Sequence, residues 1–135
     1  MALIYNGLGF PVKLEGVKTR DFRGETLPDI NHRELEDRVF HSLLWSHFQL
    51  TGPQLVFARG YMGLSQKEMS KTLGLKTHST ISGWESKEGW TGMSQTIEVV
   101  IRLLMADYIR ETTFAPHFKE FLELQSPSRE FELVA

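Results

Sequence analysis

Gly63-Leu64-Ser65-Gln66-Lys67-Glu68-Met69-Ser70-Lys71-Thr72-Leu73-Gly74-Leu75, followed by Thr80-Ile81-Ser82-Gly83-Trp84-Glu85, is the stretch from which the fold is read. Ser65 and Glu68 stand three apart, the spacing at which a hydroxyl accepts from the N3 amide and the carboxylate accepts from the cap amide. They open a short helix with Met69 and Leu73 inward. Gly74 stops it, because glycine takes the left-handed backbone conformation without a Cβ penalty. Small Ser70 lets a second helix cross closely. That helix, about His78 to Ser86, turns Ile81 and Trp84 inward and packs with Leu75 against the first.

Outward from this hairpin, Thr51-Gly52-Pro53 marks another helix start, with Thr51 as cap and Pro53 in the first turn. Its stripe is Leu55, Ala58 and Met62, Val56 and Phe57 need a second cover, and Gly63 ends it. Upstream, Asn31 and Glu34 cap a helix from about His32 to His47 carrying Leu35, Val39 and Leu43 at helical spacing. Residues 1–30 are rich in Gly and Pro and read as two or three short strands. Downstream, Ser94 caps the longest apolar segment, Ile97 to Ile109, with nine apolar residues larger than alanine in thirteen. A helix apolar nearly all round needs cover on more than one side. One cover is its own domain; a second subunit is expected to be the other, meeting Ile97, Val100, Ile101, Leu104 and Tyr108. Phe118, Phe121 and Leu122 suggest a short helix, and Phe131 and Leu133 a terminal strand.

The quoted motif, with Leu50 to Glu85 around it, resembles the helix-turn-helix of the lambda-repressor-like, Xre-type DNA-binding family. An αα-hairpin of an unrelated helical domain is the competing reading. The resemblance implies a mainly α fold: a helix-turn-helix domain over residues 50–113, an N-terminal β/α extension over 1–49, and a short C-terminal helix and tail over 114–135. Two departures stand out. Gly74 and Ile81 are seven residues apart, one more than the family usually has, so the turn Lys76-Thr77-His78 is lengthened or the second helix starts late. With Ile81 and Trp84 inward, Ser79, Ser82, Gly83 and Ser86 point outward with Thr80 beside them, and Gly83 stands where related proteins often have a basic residue. That face lacks the Arg, Asn and Gln that read purines bidentately, which leaves hydroxyls, His78 and thymine methyl contacts for base readout.

Charge agrees with this placement. The chain of 135 residues has a net charge of −2, yet residues 51–90 carry five basic and three acidic side chains while both flanks are acidic on balance. Lys67, Lys71, Lys76, Lys87 and Arg59 lie in or beside the motif, where phosphate contact is expected. The helix start at Ser65-Gln66 can turn backbone N–H groups to a phosphate. The expected DNA-contacting set is therefore Ser65, Gln66, Lys71, Lys76, Thr77, His78, Ser79, Thr80, Ser82, Gly83, Ser86 and Lys87.

A further likeness involves Tyr5-Asn6-Gly7-Leu8-Gly9-Phe10-Pro11-Val12, Gly24-Glu25, Pro28-Asp29-Ile30 and Leu50-Thr51-Gly52-Pro53-Gln54. These stretches are similar to MqsA/YgiT-like antitoxins, which join a partner-binding N-terminal domain to an Xre domain. The chain has no cysteine, so the zinc domain of the classical members does not carry over. Neither catalytic residues nor a cofactor nor a metal site is expected. His41 and His47 are six apart, a poor ligand spacing on one helix face, and His32, His41, His47 and His117 read as structural or surface residues. Trp90 reads as a core or hinge aromatic. No window approaches the roughly 20 apolar residues of a spanning helix, and the start lacks a signal-peptide pattern, so a cytoplasmic location is expected. The partners expected are double-stranded DNA, a second copy of the chain and, in the antitoxin-like alternative, a toxin that it neutralises.

Overall fold

The structure, a computed structural model, describes residues 2–127 and 131–134. Strands β1 (Ala2–Tyr5) and β2 (Val12–Glu15) form an antiparallel hairpin in which Tyr5 faces Val12 and Ala2 faces Glu15. β3 (Thr19–Phe22) and β4 (Glu25–Pro28) form a second one, turned by Arg23 and Gly24. Both turn residues have positive φ, 50° and 82°, as a type I′ turn requires. Five α-helices follow: α1 (His32–Trp45), α2 (Gly52–Tyr61), α3 (Gln66–Thr72), α4 (Ser79–Glu85) and α5 (Gln95–Tyr108). After α5 come a 3-10 helix, Ala115–Leu122, and β5 (Phe131–Val134).

β5 returns to lie parallel to β2, with Val12 beside Phe131 and Leu14 beside Leu133. Val12, Leu14 and Leu133 belong to the same core cluster as Leu35, Val39, Phe40, Leu55, Met69, Ile81, Ile101 and Phe121. The expected mainly α fold is corrected by this sheet: the described residues form an α+β fold of six helices and five short strands in two small sheets. The physical reason is that the β-sheet forms part of the core wall. Four strands, not two or three, fill the first thirty residues. The residues of β3 are all exposed, so they carry no apolar alternation from which a strand could be read.

The expected caps form. The Asn31 side chain accepts from Arg33 and Glu34 N–H, Thr51 and Gln54 make a reciprocal capping box, and Ser94 accepts from Ile97 N–H. α1 ends at Trp45, two residues short of the expected end, and the reason lies in α5.

α5 is not simply apolar. Glu98 and Arg102, an oppositely charged pair one turn apart, are 1% and 0% exposed. Arg102 Nη1 donates to the carbonyls of Leu43, Leu44 and Ser46 at 2.8, 2.9 and 2.6 Å, and Nη2 donates to Phe48 O at 2.7 Å. Two of these belong to the last turn of α1, whose carbonyls have no partner within the helix and where the helix dipole favours a cation. The guanidinium also lies over the Phe121 ring, 5.3 Å from its centroid. Glu98 accepts from Leu50 N–H and from Arg102 Nη2, and burial still pushes its carboxyl above the usual range. The pair thus ties the end of α1, the loop 46–50 and α5 together.

A second tie joins α1 to α2. Tyr61 stacks on Phe40 with ring centroids 4.1 Å apart, and its hydroxyl donates to Asp37. Burial first, then the Asp37 carboxylate, pushes the Tyr61 phenol from 10.0 up to about 12.

Two outcomes follow. Arg102→Leu removes the guanidinium donors from the four carbonyls, of which Leu43 O keeps only the Ser46 N–H, and leaves Glu98 buried, so urea unfolding should show a loss of about 3 kcal/mol or more, while exposed Lys119→Ala stays within about 0.5 kcal/mol. A loss under about 1 kcal/mol would show that the pair is not a tie. A raised phenol pKa stabilises the fold fully below pH 10.0 and ceases to do so as pH rises through about 12. An absorbance titration of the three tyrosines should therefore contain a step near pH 12 that Tyr61→Phe removes.

Candidate nucleic-acid interface

The site is built on α2. Gly52 opens it so close to the chain after α4 that a Cβ there would collide with the Lys87 carbonyl oxygen, and Gly52 N–H donates to Gly89 O at 3.0 Å. The start of α2 is thereby strapped to the segment leaving α4. Ser65 Oγ accepts from Glu68 N–H at 3.0 Å and Glu68 accepts from Ser65 N–H at 3.1 Å, the reciprocal box expected from their spacing. These bonds hold the Glu68 carboxyl below its usual range.

The lengthened turn closes on itself. Gly74 has φ +72°, Leu75 N–H donates back to Ser70 O at 2.9 Å, and the buried Ser70 hydroxyl donates to Thr77 O at 3.1 Å. Thr77 Oγ1 accepts from Ser79 N–H at 3.1 Å, so α4 begins at Ser79 and Thr77 does the capping. The additional residue is taken up before α4, and Ser70 fixes where Thr77 sits.

α4 is held from below by a charged cluster that the sequence reading missed. Arg59 Nε and Nη2 donate to the two oxygens of Glu85 at 2.6 and 3.1 Å, and Nη1 donates to Leu64 O at 2.9 Å. Gln66 Nε2 donates to the same carboxylate at 2.8 Å. Arg59 was expected to contact phosphate with the lysines; it is corrected here, because both edges of its guanidinium are occupied and its side chain is 19% exposed. Gln66 is half-buried and spends its amide on Glu85 as well. The available signal was a lone Arg in the last turn of an apolar-striped helix and a Glu directly after inward Trp84.

Around this lock the remaining expected residues lie at the surface. Ser65, Lys71, Lys76, Thr77, His78, Ser79, Thr80, Ser82, Gly83, Ser86 and Lys87 are all exposed, and Lys67 is too. Ile81 is fully buried and Trp84 half-buried, so α4 turns the small residues outward as its spacing requires. Several hydroxyls are already engaged: Thr77 with Ser79, and Ser86 with Gly83 O. The hydroxyls of Thr80 and Ser82 make no hydrogen bond among the described residues. A Cβ at Gly83 meets nothing within 4 Å, which marks open space above the middle of α4.

The expected dimer surface divides. Val100 and Tyr108 are exposed and Ile97 and Leu104 half-buried, but Ile101 is 0% exposed within the chain's own core. Ile101 is therefore corrected from an interface residue to a core residue. Of the two readings of Trp90, core or hinge aromatic, the core one is corrected, since the residue is 45% exposed beside its backbone bridge to Thr51. Among the histidines, His32, His41 and His117 pair with Glu36, Glu111 and Glu120 at 3.7, 3.3 and 2.9 Å, and the His47 ring lies against Phe121. No group of three or more His, Asp or Glu that could hold a metal, and no helix long and apolar enough to cross a membrane, is found among the described residues.

Glu85→Ala leaves Arg59 and Gln66 without their shared acceptor, so chemical denaturation should show a loss of about 1–3 kcal/mol. Adding Arg59→Ala should cost less than the two single losses combined, because the members act as one network; strict additivity would show that there is no lock. Compared with models of known protein families, with curated proteins and with solved structures, the chain matches none, and the reading of this surface rests on its own residues.

Proposed function

We propose that the chain is a sequence-specific DNA-binding transcriptional regulator that acts on its own promoter from the cytoplasm. One observation carries the reading: α4, held by the Arg59–Glu85–Gln66 lock, presents a face of small residues flanked by Lys67, Lys71, Lys76 and Lys87. Small side chains allow the helix backbone to approach the floor of the major groove, where hydroxyls reach base edges and methyl contacts favour thymine. The lysines fix register on phosphates without reading sequence. The protein does no chemistry in this account; binding energy is its output.

Two subunits joined through Ile97, Val100, Leu104 and Tyr108 would present two α4 helices to half-sites about one helical turn apart. A second role, as an antitoxin-like module that neutralises a partner protein, is favoured by the open strand edge described in the next subsection.

The test is binding to the DNA upstream of the protein's own reading frame and to random DNA, each at two salt concentrations. Gly83→Glu should abolish upstream binding with the fold intact, since the new side chain enters open space in the free protein but puts bulk and negative charge at the groove. Lys71→Ala should weaken binding to both DNAs alike and reduce the salt slope by about one. Lys119→Glu, on the 3-10 helix, should change neither. Upstream binding of Gly83→Glu at wild-type affinity would overturn the reading.

A further inference from the structure

In the sheet order β1-β2-β5, strand β5 is an edge: among the described residues it pairs with β2 alone. An edge strand offers a row of N–H and C=O groups without ladder partners on its outer side. Between β5 and α1 runs a groove. One part, about 320 Å³, is lined by Glu34, Asp37, Arg38 and Leu133. The other, about 690 Å³, is lined by Trp45, Phe48, Phe131 and Glu132. The two parts share His41 and Ser42. No residue of β2 lines either part, so the groove follows the side of β5 that faces away from β2.

Its dimensions and chemistry specify the occupant. From Glu34 to Trp45 the helix wall is roughly 16 Å long, room for about five extended residues. A helix on one side and an unpaired strand edge on the other is the geometry of strand addition, in which the backbone supplies affinity and alternate side chains supply specificity. Trp45, exposed Phe48 and Phe131 offer apolar contact. Glu34, Asp37 and Glu132 outnumber Arg38, so the groove is acidic. A second copy presenting its own β5 would bring another Glu132 into that field, which disfavours self-pairing.

We infer that the groove between α1 and the free edge of β5 receives an extended segment of a partner protein in which basic residues alternate with apolar ones. No part of α4 is involved, so the inference does not depend on the proposed DNA binding.

The probe is a labelled, end-capped (Val-Lys)3 peptide, titrated into the full chain and followed by fluorescence anisotropy. Two versions of it are N-methylated, one at every Val and one at every Lys, because alternate amides of a strand point to the same side. Saturable binding is expected, with one methylated version weakened at least about tenfold and the other close to the parent. Exposed Glu132→Lys should weaken the parent peptide severalfold while far-UV circular dichroism is unchanged. Absence of binding, or equal binding by the parent and both methylated versions, would overturn the inference. So would a dimer that the peptide dissociates, because the groove would then belong to a second copy.

Discussion

A guanidinium with no solvent exposure governs the architecture. Removing an ion from water costs several kcal/mol even after relaxation, and the cost is tolerated only where its donors are used. Arg102 meets most of that demand with three backbone carbonyls on Nη1 and a fourth on Nη2, beside the carboxylate of Glu98, while its buried Nε has no hydrogen-bond partner among the described residues. The same bonds bring the end of α1 onto α5, while Glu98 holds the amide of Leu50, one residue before the Thr51 cap of α2. The segment that precedes α2 to α4 and the helix that follows them are thereby joined through one buried pair.

The Arg59–Glu85–Gln66 cluster applies the same physics in a less buried place. It ties α2, α3 and α4 by polar bonds while Ile81 and Met69 do so by packing. A helix of seven residues has little stability of its own. Because α4 is held from beneath, its outward residues are released from structural duty: Ser82 and Gly83 can be small without weakening the fold. Two surfaces then remain available on opposite chemical terms, a basic one around α4 and an acidic one between α1 and β5.

Much of the local structure was legible because it depends on neighbours in sequence. Capping boxes at Thr51–Gln54 and Ser65–Glu68, the Gly63 and Gly74 stops and the inward Ile81 all arise from residues within one or two turns of each other. The outward face of α4 was readable for the same reason. The start of α4 was not, because it is decided by a hydrogen bond from Ser70 to Thr77 across the turn. β3 was hidden because a strand exposed on both faces has no alternating pattern.

What the chain determined by itself, then, was where α1, α2, α3 and α5 begin, where Gly63 and Gly74 stop α2 and α3, and which side chains the helices turn inward. Tertiary structure decided the rest. Glu98 and Arg102 carry an i, i+4 charge pair that in isolation reads as solvated; only the arrival of the α1 carbonyls makes it a core element. Arg59 reads as a surface cation until Glu85, twenty-six residues away, is brought to it. The α+β character likewise depends on β5 reaching β2 across more than a hundred residues, and no local pattern encodes a pairing whose partners meet only after the helices between them have packed.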